Sequence, residues 1–176
     1  DIPATVAAAA REVGRQRVKM YTVHALGGSR MVKSAAAELI RMTLIPGVPP
    51  PLTLAVTLLT SHTEAELAEL GLAGPLVEHS VRLAQMAVEA GAGGVVASAW
   101  ELPRLRAALP ENTVYVTPGI RGSGEAAGDQ SRVVSAKEAV ERGATYIVVG
   151  RPIRDAPDPV GAAERIVAEI EEAKLP

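Results

Sequence analysis

Short β-branched and aliphatic runs alternate with helical patterns along the whole chain, and this alternation limits its possible folds more than any other feature. Val18–Ala25, Leu52–Leu59, Gly94–Ser98, Thr113–Thr117 and Tyr146–Val149 read as strands. Helical patterns lie between them and at both ends: Pro3–Arg15, Ser29–Met42, a short helix from Thr63 to Gly71, Pro75–Ala90, Leu102–Leu109, a helix from Ser135 to Gly143, and a last one opened by Asp158-Pro159. Strands separated by helices pair in parallel, with the helices as crossovers. The chain shows no internal repeat and no linker, so residues 1–176 read as one domain.

Local signals mark the ends of these elements. Thr63 with Glu66, and Ser135 with Glu138, have capping-box spacing, and Ser29 is placed to cap the helix it begins. Gly71, Gly91 and Gly143 stand where helices should stop. Ile45–Pro51 holds four prolines and a glycine and reads as a turn or surface loop. On the last helix, Val160, Ala163, Ile166, Val167 and Ile170 are expected to face inward. On the long helix before the third strand, Val77, Val81, Ala84 and Val88 share one face.

Composition excludes several classes of function. The 176 residues are 48% hydrophobic yet contain no Phe and one Trp, so the core must be built from Ala, Val, Leu and Ile. Small side chains of this kind let helices lie close to a sheet. The absence of cysteine removes disulfides, thiolate catalysis and Cys-based metal sites. A net charge of −2 without a basic stripe gives no footprint for nucleic acid or an anionic membrane. No apolar run is long enough to span a bilayer and the first residues do not resemble a secretory signal, so a cytoplasmic location is expected.

Two stretches carry the chemistry: Thr117-Pro118-Gly119-Ile120-Arg121 and Val148-Val149-Gly150-Arg151-Pro152-Ile153. Each runs from a strand into a loop, the place where parallel α/β proteins bind ligands. Glycine admits close backbone approach, and arginine can clamp a phosphate with two parallel bonds. Arg151 beside Gly150 is the leading phosphate site, with Arg121 and Gln130 converging from the adjacent loop. Residues 122–129, rich in Gly and Ala, read as a mobile loop. Gly122-Ser123-Gly124-Glu125-Ala126-Ala127 fits the dinucleotide fingerprint by letter only, since no helix follows at once and no acidic residue follows at the right distance. His24, His62 and His79 do not form a ligand set, and strand-end carboxylates are scarce, so no metal is expected. Ser61 and His62 are sequence neighbours on opposite strand faces and make a poor nucleophile–base pair, whereas Thr60 suits a polar contact to a substrate base.

The ordered set of Asp1-Ile2-Pro3-Ala4-Thr5, Val23–Gly28, Val56–Ser61, Gly94–Ser98, Thr117–Arg121, Gly128-Asp129-Gln130-Ser131-Arg132-Val133 and Val148–Ile153 resembles the bacterial form of the orotidine 5′-monophosphate decarboxylase family. The resemblance implies a TIM-type (β/α)8 barrel, about five of whose eight strands are present, and a homodimer with shared active sites. It implies conversion of orotidine 5′-monophosphate to uridine 5′-monophosphate, a step of pyrimidine synthesis, without metal or organic cofactor. On that resemblance Gln130, Gly150 and Arg151 hold the 5′-phosphate with Arg121 on the same side, and Thr60 contacts the pyrimidine. Asp1, Ile2 and Thr5 reach the partner subunit's site, Asp1 as a catalytic carboxylate.

The family motif Asp-x-Lys-x-x-Asp-Ile-Pro provides the proton donor through its lysine, and here Asp1 matches the second aspartate. Lys19, Lys33, Lys137 and Lys174 lie in other segments. The resemblance therefore implies a C-terminal portion of a longer enzyme that is inactive alone. Two alternatives are a non-catalytic nucleotide- or phosphate-binding module, and a sister sugar-phosphate decarboxylase or aldolase of the same barrel family.

Overall fold

A computed structural model of the chain describes residues 1–42, 50–122 and 132–173. The order is α1 (Pro3–Arg15), β1 (Met20–His24), a 3-10 turn (Ala25–Gly27), α2 (Ser29–Met42), β2 (Leu52–Val56), α3 (Glu64–Glu69), α4 (Leu76–Glu89) and β3 (Gly94–Val96). It continues with α5 (Leu102–Ala108), β4 (Val114–Thr117), α6 (Ala136–Glu141), β5 (Tyr146–Ile147), α7 (Arg151–Arg154) and α8 (Pro159–Glu172). The five strands are all parallel and pair in chain order, β1-β2-β3-β4-β5. This is the TIM-barrel arrangement expected from the alternation of elements.

Register explains how two faces arise from one sequence. Val23, Ala55, Val95 and Tyr115 are partners across four strands. Val23 and Ala55 pack with Ala10 of α1, Met31, Val32 and Ala35 of α2, and Ala87 of α4. Val95 and Tyr115 pack with Ala84 of α4 and Leu102 and Leu105 of α5. The neighbouring row, Thr22, Leu54, Gly94 and Val114, points the other way because side chains alternate along a strand. Gly94 is required there, since a Cβ would press on the Val114 carbonyl and the Leu54 side chain.

The sheet is rolled rather than flat. Four strand spacings would set β1 and β5 about 19 Å apart in a flat sheet. The Lys19 ammonium just before β1 nevertheless lies 5.4 Å from the ring centre of Tyr146 on β5. Met20, Leu52, Val114 and Tyr146 line a common cavity of about 550 Å³ at the rim where the strands begin.

The local stop and start signals act as their chemistry dictates. Both capping boxes form: Glu66 accepts from the Thr63 N–H at 2.8 Å, and Glu138 accepts from the Ser135 N–H at 3.0 Å. Asp158 accepts from the Gly161 N–H at 3.1 Å and starts α8. Gly71, Gly91 and Gly143 all take positive φ just past helix ends.

Two expectations need correction. Ser29 does not cap α2; it is the first helical residue, and the Gly28 carbonyl receives the N–H groups of Met31 and Val32. On α8, Val160 and Val167 are not inward: they are 69% and 51% exposed, while Ala162 and Ile166 are buried and Ile170 packs beside them. α8 carries two apolar stripes and its neighbours cover only one. Glu169 helps to set that rotation, because its carboxylate accepts from the Ala136 N–H at the start of α6 at 3.1 Å. The expected loops over 45–49 and 123–129 lie outside the described residues. Among the described residues no helix is long and apolar enough to cross a membrane.

Candidate active site

The rim where the strands end is organised by the loop after β4. Gly119 takes φ 81°, a left-handed value that glycine adopts without Cβ strain. The turn lets Ile120 pair with Val134. Arg121 N–H donates to the Val134 carbonyl at 3.0 Å, and Val134 N–H donates to the Gly119 carbonyl at 3.2 Å. The chain leaving β4 and the chain entering α6 are thus stapled together, with the Ile120 side chain buried beneath them.

This staple fixes Arg121, which is only 8% exposed. Its Nη1 donates to the Ile120 carbonyl at 2.7 Å. Its Nη2 is buried and has no acceptor among the described residues. Buried polar groups in native proteins nearly always find partners, so a charged donor left in this state is suited to an anion.

The next loop brings the second cation. Val148 N–H donates to the Thr117 carbonyl at 2.9 Å, which carries the pairing past β5. Gly150 then leads into α7, and among the described residues a Cβ at Gly150 would meet nothing within 4 Å. Arg151, the first residue of α7, lines a cavity of about 410 Å³ with Arg121, Arg165 of α8, Asp155, Pro152, Ala156 and Pro157. That volume falls within the range of small-molecule sites. Among the described residues Asp155 is the one carboxylate in the wall. The guanidinium of Arg154 holds it through two bonds of 2.6 and 2.8 Å. Arg154, with Arg151 nearby, keeps the Asp155 carboxyl below its ordinary value. Among the described residues the wall carries three guanidiniums against one already paired carboxylate, a balance that suits anions.

The remaining expected residues are placed differently. Thr60 is buried in the loop after β2, outside this cavity's lining. Asp1, Ile2 and Thr5 are exposed at the start of α1. None of the three lines the cavity. The Asp1 carboxylate accepts from the Ile2 N–H at 2.7 Å. Gln130 lies outside the described residues. His79 is buried and held by the Ala73 carbonyl at 3.0 Å, an ordinary structural role. Among the described residues no group of three or more His, Asp or Glu is placed to hold a metal.

Sequence reasoning missed Arg165 and Asp155. Neither sits in a strand-end motif, and only the docking of α7 and α8 brings them to the cavity. It also missed a buried ion pair between Glu101, in the loop after β3, and Arg132. Burial pushes the Glu101 carboxyl above its ordinary value, and the Arg132 guanidinium pulls in the opposite direction.

Comparison with known proteins agrees with this architecture. The profile of the Orotidine 5'-phosphate decarboxylase / HUMPS family matches residues 1–166. The chain is 50% identical over 168 residues to an orotidine 5′-phosphate decarboxylase of Anaeromyxobacter sp. (strain K), covering 96% of this chain and 70% of that protein. It is 47% identical to the enzyme of the same name from Geobacter sulfurreducens, covering 97% of this chain and 70% of the relative. Among solved structures, orotidine 5′-phosphate decarboxylase from Lactobacillus acidophilus superimposes with a TM-score of 0.81 at 41% identity, covering 97% of this chain and 71% of that one. The protein of the same name from Pyrococcus horikoshii OT3 gives 0.70 at 28% identity, covering 97% and 70%. With a family match over nearly its whole length and a rim built around strand-end arginines, the chain belongs to the orotidine 5′-phosphate decarboxylase / HUMPS family and carries that family's TIM-type fold.

Proposed function

We propose that the chain forms the phosphate-binding and part of the catalytic machinery of an enzyme converting orotidine 5′-monophosphate to uridine 5′-monophosphate. The observation that carries this reading is the cavity shared by Arg121 and Arg151, with a buried Arg121 nitrogen left without an acceptor among the described residues. A phosphate monoester matches it in charge and in geometry.

The residues take these roles. Arg151, Arg121 and Gln130 hold the 5′-phosphate, with the backbone at Gly150 leaving room for it. Thr60 contacts the pyrimidine. Asp1, Ile2 and Thr5 complete the site of a partner subunit in a cytoplasmic homodimer, Asp1 as a carboxylate of the charged network. Phosphate binding far from the reacting carbon supplies energy that organises the site for the transition state. Loss of carbon dioxide leaves a carbanion on the ring, which needs a cation nearby that can deliver a proton. The four lysines of these 176 residues lie in other segments, so the donor is a lysine outside them. No metal or organic cofactor enters the scheme.

A decarboxylation assay tests the proposal. A longer protein with an Asp-x-Lys preceding Asp1 should consume orotidine 5′-monophosphate, survive strong chelators, and lose kcat/KM on Arg151→Ala. The 176-residue chain alone should show no turnover. Unchanged kcat/KM in the Arg151 variant would remove the phosphate assignment, and robust turnover by the 176 residues would remove the external donor.

A further inference from the structure

We infer that Arg132 is a positioning residue that holds the loops after β2, β3 and β4 at a fixed spacing, and thereby sets the distance between the pyrimidine contact and the phosphate cavity. The geometry stands by itself; the consequence for ligands rests on the nucleotide reading above.

Arg132 lies just ahead of α6, on the segment stapled to the loop after β4. Its Nη1 pairs with Oε1 of Glu101, which is 2% exposed in the loop after β3. Its Nη2 donates to the Leu59 carbonyl at 2.9 Å in the loop after β2. That same carbonyl receives the His62 N–H at 3.0 Å, so the arginine braces a turn that contains Thr60. Two residues further on, Val134 bonds both Gly119 and Arg121. Residues 132–134 therefore tie together three consecutive rim loops, one bearing Thr60 and another bearing Arg121.

The chemistry of the tie favours positioning over generic stabilisation. Burying a carboxylate and a guanidinium is costly, and an apolar pair of similar volume often serves stability as well. What an apolar pair cannot do is direct two bonds at once to acceptors on different loops. The planar fork of arginine can, and a lysine ammonium is a poor substitute in such a site.

The test uses the 176-residue chain and its Arg132→Gln and Arg132→Lys variants. Amide hydrogen exchange is measured without ligand. Affinities for uridine 5′-monophosphate and ribose 5-phosphate are measured by calorimetry. We expect both variants to speed exchange in residues 57–62 together with 132–136, while 151–155 stays unchanged. Affinity for uridine 5′-monophosphate should fall at least about tenfold, and that for ribose 5-phosphate by less than about threefold. Unchanged exchange in 57–62 would overturn the tie. An equal loss for both ligands would overturn the spacing role. If the unsubstituted chain binds neither ligand, the nucleotide reading fails, and the exchange arm still decides the tie. Should Arg132→Gln fail to fold, Glu101→Gln removes the anchoring charge with little change of shape. The same two measurements then apply, with the same expected directions.

Discussion

Arg121 and Arg151, carried by the loops after β4 and β5, line one cavity although each is held by its own loop. Arg121 is fixed by the Ile120–Val134 staple and Arg151 by the start of α7. Their convergence follows from sequential parallel pairing, which sets consecutive strand ends side by side.

Each arginine should therefore contribute separately to anion binding. Arg151→Ala and Arg121→Ala should each weaken phosphate-monoester affinity by about 1.5–3 kcal/mol, the range for bonds to charged groups. Isothermal titration checks this. A variant that binds as the unsubstituted chain does would exclude its arginine from the site.

Glu101 gives a pH signature. Burial raises its carboxyl above the ordinary 4.5, so the folded chain holds that proton more tightly than the unfolded chain does. Its contribution to stability is complete below about 4.5 and is lost as pH rises through the raised value. Urea denaturation from pH 4.5 to 7 should show the unsubstituted chain losing stability relative to Glu101→Gln. The carboxylates Glu38, Glu66 and Asp155 are shifted downward, and they cancel in that difference because both proteins carry them. Parallel stability profiles would contradict the assignment.

Gly94 sits where β3 and β4 approach closely, with no room for a Cβ. Gly94→Ala should destabilise the chain by about 1–3 kcal/mol, because the added methyl meets the Val114 carbonyl and Leu54. Backbone lies on one side, so only Leu54 can give way. Urea denaturation reads the loss, and an unchanged midpoint would show that β3 and β4 shift apart freely.

The capping boxes should act locally. Ser135→Ala should cost about 0.5–2 kcal/mol by freeing the Glu138 N–H at the start of α6. Thermal denaturation checks the size, and no change would mean that the first turn of α6 is held by tertiary contacts such as that from Glu169.

What was legible in the sequence was local. The Thr63–Glu66 and Ser135–Glu138 boxes, the Asp158 cap and the stops at Gly71, Gly91 and Gly143 depend on neighbours a few residues away, and each formed as read. The placement of Arg121 and Arg151 on neighbouring loops was legible because each lies four residues past the end of a strand. The Glu101–Arg132 pair was not: the partners lie 31 positions apart, and Leu59, the other acceptor, lies 73 positions from Arg132. Periodicity failed on α8, where Val160 and Val167 form a second apolar stripe that only packing could separate from Ala162 and Ile166. Arg165 escaped for a related reason, since a helix-surface arginine reads as solvated until α8 is docked.

Titration of uridine 5′-monophosphate and of uridine into the 176-residue chain and its Arg151→Ala variant bears most directly on the rim as a nucleotide-monophosphate site. The account predicts saturable binding of the monophosphate, at least about tenfold weaker binding of uridine, and a clearly smaller difference in the variant, where Arg121 remains. Equal affinity for the two ligands, or a difference undiminished by Arg151→Ala, would contradict it.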